Sequence, residues 1–184
     1  MSDLERARAI LLEGGYTCVL CRGDAVHTAT ARGVKPLVDW LDSGLELRDF
    51  SAADKVVGRA TAFLYVLLGV KEVYTPVVSN AAAQVLERYG ITLQADTRVE
   101  AIFNHRRDGF CPMETATKQI EEPEQALEAI RLTLKTMNAN NLSKLISLML
   151  TLILCVSAMT ACTVEPAPNT PPEENVTDPN EVKY

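Results

Sequence analysis

The residues of this chain that are best suited to chemistry begin with Ser51 to Lys55, in the sequence SAADK. Ser51 and Asp54 have the spacing of a helix capping box, with Asp in place of the usual Glu, so this segment predicts a helix N-terminus. Asp54 and Lys55 are candidate catalytic residues for proton transfer, and Ser51 is a candidate ligand contact, because helix N-termini bind anions. The alternative is a solvated helix start in which these charges only pair with each other.

A second candidate segment is GFCPMET, which contains Cys111. Pro112 favours the first turn of a helix, and a helix N-terminus stabilises a thiolate. Cys111 is therefore a candidate catalytic nucleophile assisted by Asp54 or Glu114, with Thr115 as a ligand contact and His105 as a candidate base. The alternative is that Cys111 is a small buried residue in a closing turn.

Two further pairs of polar residues complete the candidate site. Arg32 and Lys35 flank a glycine just before a predicted helix, where charge and backbone N–H groups together could hold an anion. Ordinary surface charge is the alternative for this pair. Ser79 and Asn80 are expected to cap another helix and, as ligand contacts, to lie near the segment from Ser51 to Lys55.

The cysteine pair Cys18 and Cys21 has CxxC spacing, but it lies in a predicted strand. Residues three apart on a strand point to opposite faces, so we predict two buried small residues and no metal or redox site. His27 is expected to be a strand residue without a ligand role. The sequence therefore predicts neither a metal site nor a cofactor.

The candidate residues are expected to be positioned by a long central helix over residues 50–70. Apolar residues recur there at helical spacing, and its second half carries no charge, which is typical of a helix buried on all sides. The other predicted elements are a helix at 3–13, hairpin strands at 16–22 and 26–30, a helix from Pro36 to Gly44, strands at 71–78 and 91–96, a helix after Ser79 and an amphipathic helix at 123–136.

This alternation predicts an α/β fold, a three-layer α/β/α sandwich with a mixed sheet. In such sheets ligands bind beyond the carboxyl ends of strands, beside helix N-termini. The predicted domain covers residues 1–136.

Composition limits the classes of partner. The formal net charge is −6 and only 5% of residues are aromatic, which disfavours a nucleic-acid binder and leaves a small-molecule ligand as the expected partner. The domain carries an odd number of cysteines, three, and no N-terminal signal, so we expect reduced thiols and a cytoplasmic domain. Homo-oligomerisation stays open.

The chain changes character at Met137. A polar stretch with one lysine leads into an uncharged apolar run at 145–161, then Cys162 and an acidic, proline-rich tail at 163–184 that is expected to be disordered. That order resembles a bacterial lipoprotein signal and tether, within a predicted hydrophobic segment at 137–162. Three hypotheses stay open: a fused reading frame starting at Met137, a transmembrane anchor through 145–161, and a buried helix of the domain.

The segments TCVLCRGD, TARGVKPLVDWLDSG, FSAADKVVGRATAFLYVLLGVKEVYTPVVS and GFCPMET together resemble the domain-of-unknown-function 1893 family. This prokaryotic family is placed in the cytidine-deaminase-like superfamily, so the resemblance, over about residues 3–120, implies a deaminase-like sandwich. Zinc deaminases need an HxE motif at one helix start and PCxxC at the next. Here the aligned residues are 51–54 (SAAD) and 76–79 (PVVS), which lack the metal-binding His and Cys, so a zinc deaminase is not expected.

Three functions follow from these observations. The first is a domain that binds a small nucleotide-like or anionic ligand. The second is a thiol-dependent enzyme or sulfur carrier that uses Cys111. The third is an interaction module without catalytic chemistry.

Overall fold

The computed structural model describes residues 1–104 and 108–160. His105, the candidate base, lies outside the described residues, as do Cys162 and the tail at 163–184. The chain divides into two units, residues 1–141 and 142–184, and each is described by itself.

The first unit alternates strands and helices, as the sequence predicts. Its elements begin with α1 (Asp3–Glu13), β1 (Cys18–Arg22), β2 (Ala25–Ala29), α2 (Lys35–Asp42), β3 (Ser51–Asp54), β4 (Val56–Val57) and α3 (Arg59–Leu68). They continue with β5 (Glu72–Ser79), α4 (Asn80–Arg88), β6 (Thr92–Val99), α5 (Pro112–Thr117) and α6 (Pro123–Thr160), the last of which runs past residue 141. The predicted bounds of α1 are confirmed, and those of the hairpin and α4 are confirmed to within two residues.

The strands form one mixed sheet. β2, β1 and β3 are antiparallel neighbours, and β3, β5 and β6 are parallel. β4 pairs with β5 beyond the end of β3, on the edge of β5 that β6 does not occupy. Ala53 pairs with Tyr74 and Val56 pairs with Val77, so the link between β3 and β4 lies opposite a break in the ladder.

Helices cover both faces of this sheet, which confirms a mixed α/β fold. On one face α1 buries Leu4, Ala7 and Leu11 against Val19, Cys21, Ala53 and Tyr74. On the other face α2, α3, α4 and α6 contribute to a larger core that includes Cys18 and Leu20. Cys18 and Cys21 thus face opposite sides of the sheet, as strand geometry predicts.

The predicted start of the central helix at Ser51 is wrong. Ser51 to Asp54 form β3, and the helix begins at Arg59 after Gly58. The capping-box pattern is a local signal, whereas Ser51, Ala52 and Ala53 are buried between two hydrogen-bonded strands, and that tertiary pairing overrides local preference. Asp54 consequently lies at the carboxyl end of a strand, where ligand sites of parallel sheets occur.

The amphipathic helix predicted at 123–136 is found, and Ala126 and Ile130 are buried in the core. It continues without a break through Met137 to Thr160 as α6. In the second unit Leu142, Ile146 and Met149 of this helix are exposed. Within the two stretches that the structure describes, no helix has the length and apolar character that crossing a membrane requires, so the predicted anchor at 145–161 finds no support.

Candidate functional site

A cavity of about 820 Å³ opens at the carboxyl end of β3. The link between β3 and β4, the start of α3, the entrance to α2 and the segment before α5 form its walls. Predicted site residues from three separate segments line it, namely Arg32, Lys35, Asp54, Lys55, Cys111 and Glu114. We call it the Asp54 cavity.

Asp54 is the best-defined polar group of this cavity. Its Oδ1 accepts the backbone N–H of Val56 at 3.2 Å, and its Oδ2 accepts the Tyr65 hydroxyl at 2.9 Å. Burial raises the pKa of Asp54 to about 6, against the partly compensating effect of these hydrogen bonds. The carboxyl group can therefore hold or release a proton close to neutral pH.

Tyr65 connects Asp54 to a buried thiol. The oxygen of Tyr65 lies 3.2 Å from Sγ of Cys18. Burial raises the pKa of both Tyr65 and Cys18 well above the usual range, so both groups keep their protons. Because the single Tyr65 proton is donated to Asp54, the Cys18 thiol donates to Tyr65, and the chain of donors ends at Asp54 in the cavity wall.

Glu114, in the first turn of α5, lies next to Gly58, the N-cap residue of α3. A methyl group at Gly58 would lie 2.9 Å from Oε1 of Glu114, so the absence of a side chain there permits the close approach. Oε1 is buried and has no hydrogen-bond partner among the described residues. Gly58 provides no side-chain cap for α3, and the carboxylate is favourably placed near the positive end of the helix dipole.

Basic side chains form the outer part of the cavity wall. Lys55 and Arg32 are exposed, and Lys35 is bonded to Asp39 at 2.5 Å. The cavity therefore has an acidic floor, with Asp54 and Glu114, and a basic rim. A ligand that carries N–H donors at one end and an anionic group at the other matches that arrangement.

Cys111 lines the same cavity and is half-buried. It is the N-cap residue of α5, and its carbonyl accepts the Thr115 hydroxyl at 3.3 Å. Thr115 itself lines a neighbouring cavity of about 580 Å³, which shares Glu114 and Phe103 with the Asp54 cavity.

The other predicted contacts lie elsewhere. Ser51 is at the amino end of β3, where its hydroxyl donates to Glu72 at 2.6 Å. Ser79 is the N-cap of α4, as predicted, and its buried hydroxyl accepts the N–H of Ala82 at 3.2 Å. The structure does not bring Ser51, Ser79 or Asn80 to the wall of either cavity.

Sequence reasoning missed Tyr65, Gly58 and Phe103. A signal for Tyr65 was present, because its hydroxyl is a polar group in an uncharged run of the central helix, and a buried tyrosine normally finds a partner for its O–H. Gly58 and Phe103 depend on contacts between distant segments, which no local pattern reveals.

Labelling of thiols provides a direct check of the geometry around the cavity. Of the three cysteines in the first unit, only Cys111 should react readily with iodoacetamide in the native protein, because Cys18 and Cys21 are buried. Their labelling requires local opening, so we expect their rates to be at least about a hundredfold lower. Peptide mapping by mass spectrometry measures each rate, and equal rates at Cys18 and Cys111 would contradict this placement.

Together the fold and site define an α/β domain with a mixed sheet, helices on both faces and, at the carboxyl end of a strand, a cavity whose largely apolar wall carries several charged side chains. The sequence matches the model of the family described as a domain of unknown function, DUF1893, over residues 6–134. The chain belongs to the DUF1893 family.

A solved relative has the same fold. The crystal structure of the DUF1893 family protein TM1506 from Thermotoga maritima matches with a TM-score of 0.64 at 22% sequence identity, over 74% of this chain and 91% of that chain. A comparison with curated proteins gives no match.

Proposed function

We propose that the domain binds a small anionic, nucleotide-like molecule in the Asp54 cavity. The observation that carries this proposal is the convergence of Asp54, Glu114 and Lys55 on one cavity of about 820 Å³. Titratable groups with perturbed pKa values in a cavity are typical of functional sites, and a strand carboxyl end is the usual position for them.

The polarity of the cavity specifies how the ligand lies. Its anionic group would contact the basic rim at Lys55, Arg32 and Lys35, and its N–H donors would face the carboxylates of the floor. Near neutral pH Asp54 is mostly ionised, since its pKa is about 6, so it accepts a donor from the ligand.

A deaminase-like sandwich is part of the same proposal. The order of hairpin, helix, parallel strands and crossover helices supports it, with α3 and α4 as the two helices whose starts would correspond to the zinc-binding segments of the deaminases. The residues at these starts do not fit a zinc ion: residues 57–60 are VGRA and 76–79 are PVVS. Within the described parts of the chain, no three His, Cys, Asp or Glu side chains come together as a metal site, so we derive no zinc chemistry.

A thiol-dependent enzyme or sulfur carrier is the second candidate function. It is favoured by one observation, namely that Cys111 lines the cavity together with Asp54, which could accept a proton. Protection of Cys111 from iodoacetamide by a bound nucleotide would place the thiol at the ligand. If the wild-type protein converts the bound compound and Cys111→Ser does not, the domain is a thiol-dependent enzyme. If neither protein converts it, the domain only binds.

Thermal unfolding with added nucleotides tests the binding proposal. A nucleoside monophosphate at about 100 times its dissociation constant should stabilise the protein by about 2.7 kcal/mol and raise Tm by roughly 5–10 °C. Val56→Trp places a bulky side chain at an exposed position in the cavity wall beside Lys55 and should reduce the shift, as should Lys55→Ala.

The matched control is Lys71→Ala. Lys71 is an exposed lysine that pairs with Asp3 and Glu72 and does not line the cavity. The control should keep the full shift. Absence of a shift with every phosphate-bearing compound would contradict the proposal and favour an interaction module without a ligand, the third function considered.

A further inference from the structure

An exposed aromatic pair lies beside the Asp54 cavity, at Phe103 and Phe110. The two residues form an antiparallel bridge, flanked by the bonds from Asn104 N to the carbonyl of Gly109 and from Cys111 N to the carbonyl of Ile102, both at 2.9 Å. Phe103 and Phe110 are therefore a non-hydrogen-bonded pair, in which cross-strand side chains come closest. Their rings stack with centroids 5.4 Å apart and planes 19° apart.

This pair is more exposed than packing would favour. Phe103 is 57% exposed and Phe110 is 60% exposed, although both rings line the cavity of about 580 Å³. The centroid separation is too small for a third ring to insert between them. A planar ligand can instead stack on an outer ring face, and Phe103 provides such a face because it lines both cavities.

Glu114 lies between the two cavities and lines both of them. Oε1 of Glu114 is buried and accepts no hydrogen bond from the described residues, and leaving a buried acceptor unpartnered is costly. Rotation of the carboxylate only exchanges two equivalent oxygens, so the missing partner has to reach the position of Oε1 beside Gly58. A ligand that donates an N–H to Glu114 would supply the missing partner.

We propose that Phe103 and Glu114 form a recognition site for the base of the nucleotide, and that the base is a planar heterocycle with a ring N–H donor. The ring stacks on Phe103, and its N–H donates to the Glu114 carboxylate. A base that presents a ring nitrogen lone pair at that position places two acceptors against each other and is disfavoured. This inference rests on the proposed function and adds the class of ligand to it.

Two nearly isosteric purine nucleotides test this proposal by calorimetry. Inosine 5′-monophosphate carries a ring N–H at N1, whereas adenosine 5′-monophosphate has an acceptor there. We expect the wild-type protein to bind the inosine nucleotide about tenfold more tightly, since a hydrogen bond to a charged group has about that effect. Glu114→Gln can both donate and accept, so its preference should fall to within about threefold.

Substitution of the aromatic ring provides an independent arm. Phe103→Leu keeps an apolar side chain but removes the stacking surface, so both purine nucleotides should bind about five- to tenfold more weakly. Binding of ribose 5-phosphate, which has no base, should be unchanged. Leu12→Ala, at another exposed apolar residue on α1, should leave the affinities for both nucleotides unchanged.

The outcomes separate this inference from the proposed function. The base-recognition site is overturned if the two purine nucleotides bind with equal affinity, or if Phe103→Leu leaves their affinity unchanged. In either case, binding of ribose 5-phosphate that depends on Lys55 would leave the proposed function standing. If the wild-type protein binds neither the purine nucleotides nor ribose 5-phosphate, both the base-recognition site and the proposed function are overturned.

Discussion

Arg59→Met is expected to lower the free energy of unfolding by about 3 kcal/mol. Arg59 is only 8% exposed, and its guanidinium donates to the carbonyls of Thr117 at 2.9 Å and Ile120 at 2.5 Å. It also pairs with Glu121 at 3.0 Å. Methionine fills much of the same volume but leaves two carbonyls without this donor, and that loss dominates.

Substitution of Arg59 should also perturb the candidate site, because the contacts of Arg59 connect the first turn of α3 to the end of α5 and the residues that follow it. The matched control is Arg88→Met, which removes the other partner of Glu121 at 2.7 Å from a position that is 52% exposed. Exposed ion pairs contribute little, so the control should lose less than about 1 kcal/mol. Chemical denaturation measures both values, and similar losses in the two variants would show that the buried contacts of Arg59 have no special role.

Asp54→Asn is expected to stabilise the protein at neutral pH by as much as about 3 kcal/mol. The ordinary pKa of this carboxyl group is 3.8, and in the folded protein it is about 6. The folded state therefore holds a proton that the unfolded state has lost between these two values. Stability contributed by the protonated carboxyl is present below about pH 4 and is lost as pH rises to about pH 6.

Denaturation curves at about pH 4, 5, 6 and 7.5 test this expectation. The wild-type protein should become less stable relative to Asp54→Asn across the window from about pH 4 to 6, with a constant difference above it. Asparagine has the same size but only one oxygen acceptor, which can serve the Tyr65 hydroxyl or the Val56 N–H, so the loss of one hydrogen bond reduces the gain without removing the pH dependence. Asp39→Asn, at an exposed residue paired with Lys35, is the control and should change stability by less than about 1 kcal/mol. Parallel pH profiles for wild type and Asp54→Asn would refute a raised pKa at Asp54.

Local signals were sufficient for several elements of the fold. The apolar spacing before the glycine pair at Gly14 defined α1, and Ser79 was correctly identified as the cap of α4, because amphipathic spacing and capping depend on residues only a few positions apart. The prediction of a helix start at Ser51 was wrong for the complementary reason. Its capping pattern was present, but Ser51 is buried between β1 and β5, and a three-residue pattern contains no information about those strands.

Six of the predicted site residues line one cavity, although the element expected to carry Asp54 and Lys55 was predicted wrongly. Asp54 and Lys55 were expected at a helix N-terminus, yet the end of a parallel strand brings them to the same kind of position. The same edge of the sheet also carries Arg32, Lys35, Cys111 and Glu114. The positions of glycine and proline residues predicted the loops that contain them. The roles of Tyr65 and Phe103 required the packing of distant segments, so they could only be found in the structure.

The central claim is that the cavity at the carboxyl end of β3 holds the ligand. Titration of the isotope-labelled full-length protein with inosine 5′-monophosphate, followed by backbone amide NMR, tests it most directly. The largest shifts are expected in residues 54–61, 102–104 and 111–114. Shifts confined to α1 or to the start of α4, or no shifts at millimolar nucleotide, would contradict it.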